Sequence, residues 1–258
     1  MSANNDTIGK TLLVTILLCV ICSVVVSSAA VIFKPRQIAN KELDRKSNIL
    51  AAAGIVDPSK SVDELFEQIT TRYVDLETGK FVDMPATYDE TKAAKDPQQS
   101  IRLSRENDQA GIKAIARVQP VYLVEANDGS VTKVILPVHG KGLWSTLYGF
   151  LALEGDLNTV VGLGFYSHAE TPGLGGEVDN PAWKALWPGK AVYGEDRTRP
   201  MIHLVKGSVD TSTPGAEHKV DGLSGATLTS NGVTNLVQFW MGENGYAPFL
   251  NNLRAGEA

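Results

Sequence analysis

Between residues 11 and 33 the chain reads TLLVTILLCVICSVVVSSAAVIF, with no charged side chain. A segment with no polar face is buried on every side or lies in lipid. As a helix this run would measure about 34 Å, against roughly 30 Å for the hydrocarbon core of a bilayer. It is expected to be a transmembrane anchor. A cleaved signal peptide, with Ser27 and Ala29 before the cleavage point, is the competing reading. Apolar cores of such signals run only about 7–15 residues, which favours the anchor. A lipoprotein signal fits poorly, because bulky Leu18 and Ile21 precede Cys19 and Cys22. Those cysteines share one helical face and read as small apolar members of the helix.

Beyond the anchor, residues 38–53 are polar and helical in pattern, stopped by Gly54. Ser61-Val-Asp-Glu64 has the spacing of a capping box and predicts a helix over 61–72. Residues 77–110 are polar, punctuated by Gly79, Pro85 and Pro97, and read as loop with a few short elements. Then the period changes. Residues 118–125 and 131–138 alternate or run apolar around Asn127-Asp-Gly-Ser130, a hairpin signal. Residues 147–153 and 159–166 form a second such pair around Glu154-Gly-Asp-Leu-Asn158. Residues 201–206 predict another strand, and 231–241 a helix with one apolar face. Runs of strands with helices at the ends predict an α+β fold with mostly antiparallel strands rather than a doubly wound sheet. The expected organisation is a tail over 1–10, the transmembrane helix over 11–33, a juxtamembrane helix and α/β extension over 34–130, and a second soluble domain over 131–258.

Composition narrows the class. The 258 residues are 43% hydrophobic and 21% charged, as in ordinary globular proteins. Twenty-nine acidic against 24 basic residues give a net charge of −5, which argues against a general nucleic-acid binder. Two cysteines provide no disulfide framework. Only Lys10 precedes the anchor, whereas Lys34, Arg36, Lys41, Arg45 and Lys46 follow it. By the positive-inside rule alone, the soluble part would be cytoplasmic.

Two glycine-rich segments carry the candidate chemistry. Ser167-His-Ala-Glu-Thr-Pro-Gly-Leu-Gly-Gly176 follows a predicted strand. Its glycines and proline imply a tight loop that backbone or ligand can approach closely, or simply a structural turn. The second is Asp221-Gly-Leu-Ser-Gly-Ala-Thr-Leu-Thr-Ser230, before the last predicted helix. Gly222 and Gly225 let amides turn toward one point, and the helix offers unpaired N–H groups and a positive dipole end. Such a place suits a phosphate. The plain alternative is an N-cap, yet one hydroxyl suffices for that, and Ser224, Thr227, Thr229 and Ser230 supply four. A nucleophile elbow is nearly matched by Gly222-Leu-Ser-Gly-Ala226, with Ala226 in place of the last glycine. That enzyme class needs a histidine downstream of the serine, and the last histidine is His218, upstream. His139, His203 and His218 are scattered without ligand spacing, and no Walker loop or Rossmann fingerprint follows a strand. No metal site and no catalytic residue is assigned.

At these residues the sequence resembles the C subunit of the Na+-translocating NADH:quinone reductases. Asp221-Gly-Leu-Ser-Gly-Ala-Thr227 is similar to that family's flavinylation motif, and residues 168–176 to its second signature loop. The likeness covers nearly the whole chain. A related subunit of the ion-pumping ferredoxin:NAD+ reductase shares both motifs, but residues 38–130 are more like the quinone reductase protein. The resemblance implies an FMN-binding domain over 131–258, with FMN held covalently through a phosphoester to Thr227. A separate flavin transferase makes the bond. Asp221, Gly222, Leu223, Ser224, Gly225, Ala226 and Thr229 belong to the cofactor site on this reading. Leu174 and Trp144 are candidate ring contacts; Glu170, Thr171 and Gly175 are candidates for the loop beside the ring edge or ribityl chain, and Lys206 for offsetting the phosphate charge. The implied role is electron relay between redox centres, during NADH oxidation and quinone reduction coupled to Na+ export. Other subunits of the complex are the partners, one of them binding NADH. The soluble domain would face the periplasm of a bacterial inner membrane, against the charge count, since long domains are exported despite flanking charges. The rival reading is a membrane-anchored extracytoplasmic module that binds a free phosphate-bearing ligand at the same loops. A weaker rival is a secreted serine hydrolase using Ser224.

Overall fold

The computed structural model describes residues 7–85 and 87–258. Two compact units make up the chain, Met1–Asp44 and Arg45–Ala258. Helix α1 (Ile8–Ala52) holds the apolar run and the polar stretch after it in one continuous helix, with Pro35 inside. Large apolar side chains such as Leu17, Ile21 and Val25 are exposed along it. The helix is long and apolar enough to cross a membrane. It stops at Gly54 as expected: Gly54 is left-handed (φ +65°), its N–H donates to the Ala51 carbonyl, and the Ile55 N–H donates to Leu50. This paired closure satisfies the last carbonyls of the helix.

The capping box at Ser61 forms, with the Ser61 N–H donating to Glu64 Oε2 (2.7 Å) and the Glu64 N–H to Ser61 Oγ (3.3 Å). The helix it starts, α2 (Val62–Phe66), is shorter than expected. Ile69–Asp75 is instead strand β1. Ile69, Thr70, Thr71, Tyr73 and Val74 are β-branched or aromatic, and pairing with a distant strand outweighs the local helix signal.

β1 joins a six-stranded antiparallel sheet of order β2-β1-β5-β6-β7-β8. The strands are β2 (Lys80–Val82), β5 (Val118–Glu125), β6 (Val131–Lys141), β7 (Thr146–Glu154) and β8 (Val160–Ser167). Both expected hairpins are present, and strands from either side of residue 130 share the sheet. Short pieces complete the set: α3 (Glu90–Ala93), β3 (Ser100–Arg102) paired with β4 (Ala114–Ala116), and α4 (Pro181–Lys184). The strand expected over 201–206 contracts to β9 (His203–Val205). It pairs in parallel with β10 (Lys219–Asp221), an exception to the antiparallel rule. Helix α5 (Thr227–Trp240) starts four residues before the expected 231, and α6 (Ala247–Ala255) follows.

The sheet buries both faces, with opposite alternate residues. Val134, Leu136, Val138, Leu147 and Leu151 belong to the core that includes Val233, Leu236 and Trp240 of α5 and Phe249 of α6. Ile135, Tyr122 and Phe150 face the second core, with Ile49, Leu50 and Ala53 from the end of α1. Helix α5 lies close on β6: a Cβ at Gly232 would come within 2.5 Å of the Lys141 carbonyl, and one at Gly140 within 2.9 Å of Leu236 Cβ. That contact brings the first turn of α5 beside the β6–β7 turn.

Candidate functional site

Three loops meet at the N-terminus of α5: the β6–β7 turn (142–145), the loop after β8 (168–176) and the turn from β10 into α5 (222–226). Glu170 joins them. Its carboxylate accepts from the N–H groups of Leu143 (3.2 Å), Trp144 (3.0 Å) and Ser145 (3.2 Å), and from the Thr229 hydroxyl (2.7 Å). Only 5% of Glu170 is exposed. Burial pushes its carboxyl pKa up, but the Thr229 hydroxyl and the three amides outweigh burial and hold it below the ordinary glutamate value. A buried carboxylate with every strong acceptor direction filled is a brace between loops. Its acceptor capacity is spent on groups inside the protein.

The glycines around the brace are there for space. A Cβ at Gly175 would lie 2.5 Å from Thr229 Oγ1 and 2.8 Å from Glu170 Oε2, and one at Gly142 2.6 Å from Glu170 Oε1. The rest of the first loop is tied down by the Ala169 N–H donating to Ser145 Oγ (2.7 Å) and the Glu170 N–H donating to His168 Nδ1 (3.2 Å). With Nδ1 accepting, the ring proton of His168 sits on Nε2 and faces Asp179 Oδ2 at 2.7 Å.

The motif before α5 divides in the same way. Asp221 accepts the Val209 N–H (2.8 Å) on its side chain and the Trp183 indole N–H (2.9 Å) on its carbonyl. Gly222 packs against the Val205 carbonyl, leaving no room for a Cβ, and its N–H donates to Gly207. Ser230 accepts the buried Leu223 N–H (3.0 Å) and donates to the Ala226 carbonyl (3.1 Å). Gly225 is left-handed (φ +70°) beneath Leu174 Cδ2. Residue 226 occupies the N-cap position, and no side chain caps the helix. The cap explanation for the four hydroxyls therefore fails: Ser230 and Thr229 are spent elsewhere, and Ser224 and Thr227 are exposed.

On the outer surface of this cluster stand Thr227, Ser224 and Thr171, with an apolar rim. Trp144 is 70% exposed and Leu228 60%, and Leu143 and Leu174 are exposed as well. Leu143 and Leu228 were not among the expected site residues. Leu228 carried a signal, an apolar residue inside a polar motif at a helix start; Leu143 carried none. Lys206 is exposed one residue past β9, whose last residue, Val205, pairs with Asp221. The arrangement supplies an exposed hydroxyl on the first residue of an uncapped helix, where N–H groups and the dipole stabilise an anion. Among the described residues no histidine bonds Ser224, and His218 is buried with Nδ1 2.8 Å from the Ala191 carbonyl. Among the described residues no three His, Cys, Asp or Glu side chains gather as a metal set.

These features fit a phosphate-anchored cofactor: a phosphate-compatible helix end, a hydroxyl to carry it, and exposed apolar side chains for a ring. Residues 142–242 match the FMN-binding domain family. The chain is 54% identical to the C subunit of the Na(+)-translocating NADH-quinone reductase of Pseudomonas aeruginosa, over 99% of this chain and 100% of that one. It is 48% identical to the corresponding protein of Yersinia pestis, over 98% and 96%. The crystal structure of Shewanella oneidensis NqrC superposes with a TM-score of 0.77 at 36% identity, covering 84% of this chain and 99% of that one. Identity at this level over the full length of its relatives places the chain in the NqrC family, the C subunits of the Na+-translocating NADH-quinone reductases.

Proposed function

We propose that this chain carries FMN on Thr227, through a phosphoester, and relays electrons between redox centres of the Na+-translocating NADH-quinone reductase. The observation that carries the reading is the exposed Thr227 hydroxyl on the first residue of an uncapped α5, inside the matched FMN-binding family segment. Bound FMN supplies reversible electron transfer; the residues described here bind and orient it. The first-turn N–H groups of α5 would hold the remaining phosphate charge. Leu174, packed over Gly225, and Trp144 offer apolar surface to the ring, with Leu143 and Leu228 beside them. Glu170 and Thr229 act beneath, holding the three loops in register. Exposure of Thr227 also suits attachment by a separate flavin transferase, which must reach the hydroxyl. NADH is bound by another subunit. Helix α1 anchors the chain in the bacterial inner membrane, in contact with lipid, and the soluble part lies on the periplasmic side.

The test is flavin fluorescence on a denaturing gel, with the full chain produced beside an active flavin transferase. A fluorescent band that vanishes in Thr227→Ala supports the attachment. A dark wild-type band, with the transferase active on a control substrate, overturns it and leaves reversible binding of a phosphate-bearing ligand. Protease digestion of spheroplasts tests topology: the soluble part should be cleaved from outside, and protection would reverse the orientation.

A further inference from the structure

The face of the sheet opposite α5 is covered by the end of α1 only over part of its length. Toward the β6–β7 turn it opens into a groove of about 310 Å³, bounded by α3 and the segment before β4. This volume is in the range of small-molecule sites. Its wall is aromatic. His139 and Tyr148 are directly paired across β6 and β7, and their rings stack at 5.5 Å with 23° between planes. Tyr166 on β8 continues the wall, 6.3 Å from Tyr148, and both tyrosines are partly exposed. The ring nitrogens of His139 have no hydrogen-bond partner among the described residues, and burial lowers its pKa to about 4, so the imidazole is neutral at physiological pH.

The rim is cationic. Lys95, Lys113 and Lys141 line the groove, are exposed, and make no ion pair among the described residues. Among the described residues, Glu90 is the one carboxylate lining the groove, and Arg45 engages it at 2.8 Å. In a chain of net charge −5, three unpaired lysines around an aromatic wall form a local positive field. Lys113 is held in place by an unusual backbone, with φ +72°, and its N–H donates to Asp108 at 2.8 Å.

We propose that this groove binds a small planar aromatic anion, an aryl carboxylate or sulfonate, with its ring on Tyr148 and Tyr166 and its charge toward Lys141 and Lys113. Stacking on a tyrosine wall is geometrically selective for flat rings. The lysines add charge selectivity that is screened by salt. The site is separate from Thr227: none of the residues lining the groove is among those placed around that hydroxyl.

The experiment is calorimetric titration of the full chain in lipid nanodiscs with sodium 2-naphthoate and with the neutral 2-naphthalenemethanol, against empty nanodiscs. The expected result is saturable one-to-one binding of the naphthoate, about tenfold tighter than the alcohol at low salt and less so at high salt. Lys141→Gln and Lys113→Asn should each weaken naphthoate about threefold and leave the alcohol unchanged; asparagine tolerates the left-handed backbone at 113. Tyr148→Leu should weaken both probes. Leu174→Ala, on the Thr227 side, should change neither. Absence of saturable binding, equal affinity for the two probes, indifference to the lysine and tyrosine variants, or loss in Leu174→Ala would each overturn the proposal.

Discussion

Thr227 and Thr229 lie two residues apart on the first turn of α5, in surroundings of opposite kinds. Thr229 is 1% exposed and gives its proton to Glu170. Thr227 is exposed and has no protein partner for its hydroxyl among the described residues. The same division runs through the whole cluster. Glu170, Asp221 and Ser230 are engaged by partners within the protein; Ser224, Leu174 and Trp144 are exposed. A run of residues that resembles one chemical motif is thus two layers. The inner layer fixes the shape of three loops, and the outer layer is free for chemistry. Inner residues should therefore be separable from outer ones by whether a substitution removes stability or flavin.

The largest effect is expected at the centre of the inner layer. Glu170→Ala leaves three amides and a hydroxyl without their acceptor and should lower stability by about 3 kcal/mol. Urea unfolding of the full chain, followed by tryptophan fluorescence, measures this. A change near zero would mean that the brace is not structural. Gly175→Ala puts a Cβ where Thr229 Oγ1 and Glu170 Oε2 now lie, and should cost about 1–3 kcal/mol by the same assay. Thr229→Val keeps the shape and removes one of the bonds to Glu170, for about 1 kcal/mol, and should retain covalent flavin. Loss of flavin in a folded Thr229→Val would blur the two layers.

Acid sensitivity sharpens the same division. The folded state holds the Glu170 pKa below its unfolded value. The stability this contributes is complete above the ordinary glutamate range and is lost as pH falls through the depressed folded value. The unfolding midpoint of the wild type should fall across that window. Glu170→Gln, which cannot ionise, should fall less steeply there, and equal slopes would contradict the brace. The smallest stability effect belongs to the outer layer: Thr227→Ala should shift the midpoint by no more than about 0.5 kcal/mol, as surface substitutions do. It should nevertheless abolish covalent flavin.

The sequence makes some of this visible. Alternation around Asn127-Asp-Gly-Ser130 marks the hairpin that becomes β5 and β6, because side-chain period and turn chemistry are both local. The glycines and hydroxyls of the two loops, which meet at the start of α5, stand out for the same reason. Strand β1 is hidden: its capping box at Ser61 is a true local signal, but the partner that turns Ile69–Asp75 into strand lies on β5, about fifty residues away. Glu170 is hidden likewise. A carboxylate beside a glycine-rich loop reads as a ligand contact until its donors are traced to residues 143–145 and to Thr229, 59 positions downstream. Leu143 is invisible in the pattern, since a single leucine in a turn looks like any other. The parallel pairing of β9 with β10 involves three-residue strands, too short to show a period.

Peptide mass mapping of the full chain, matured beside an active flavin transferase, tests the central claim most directly. The peptide spanning residues 221–230 holds four hydroxyls, on Ser224, Thr227, Thr229 and Ser230. The two-layer account predicts one FMN adduct, with fragment ions placing it on Thr227. An adduct on Thr229 or Ser230, which the structure buries, or on Ser224, or an unmodified peptide from flavin-bearing protein, would contradict it.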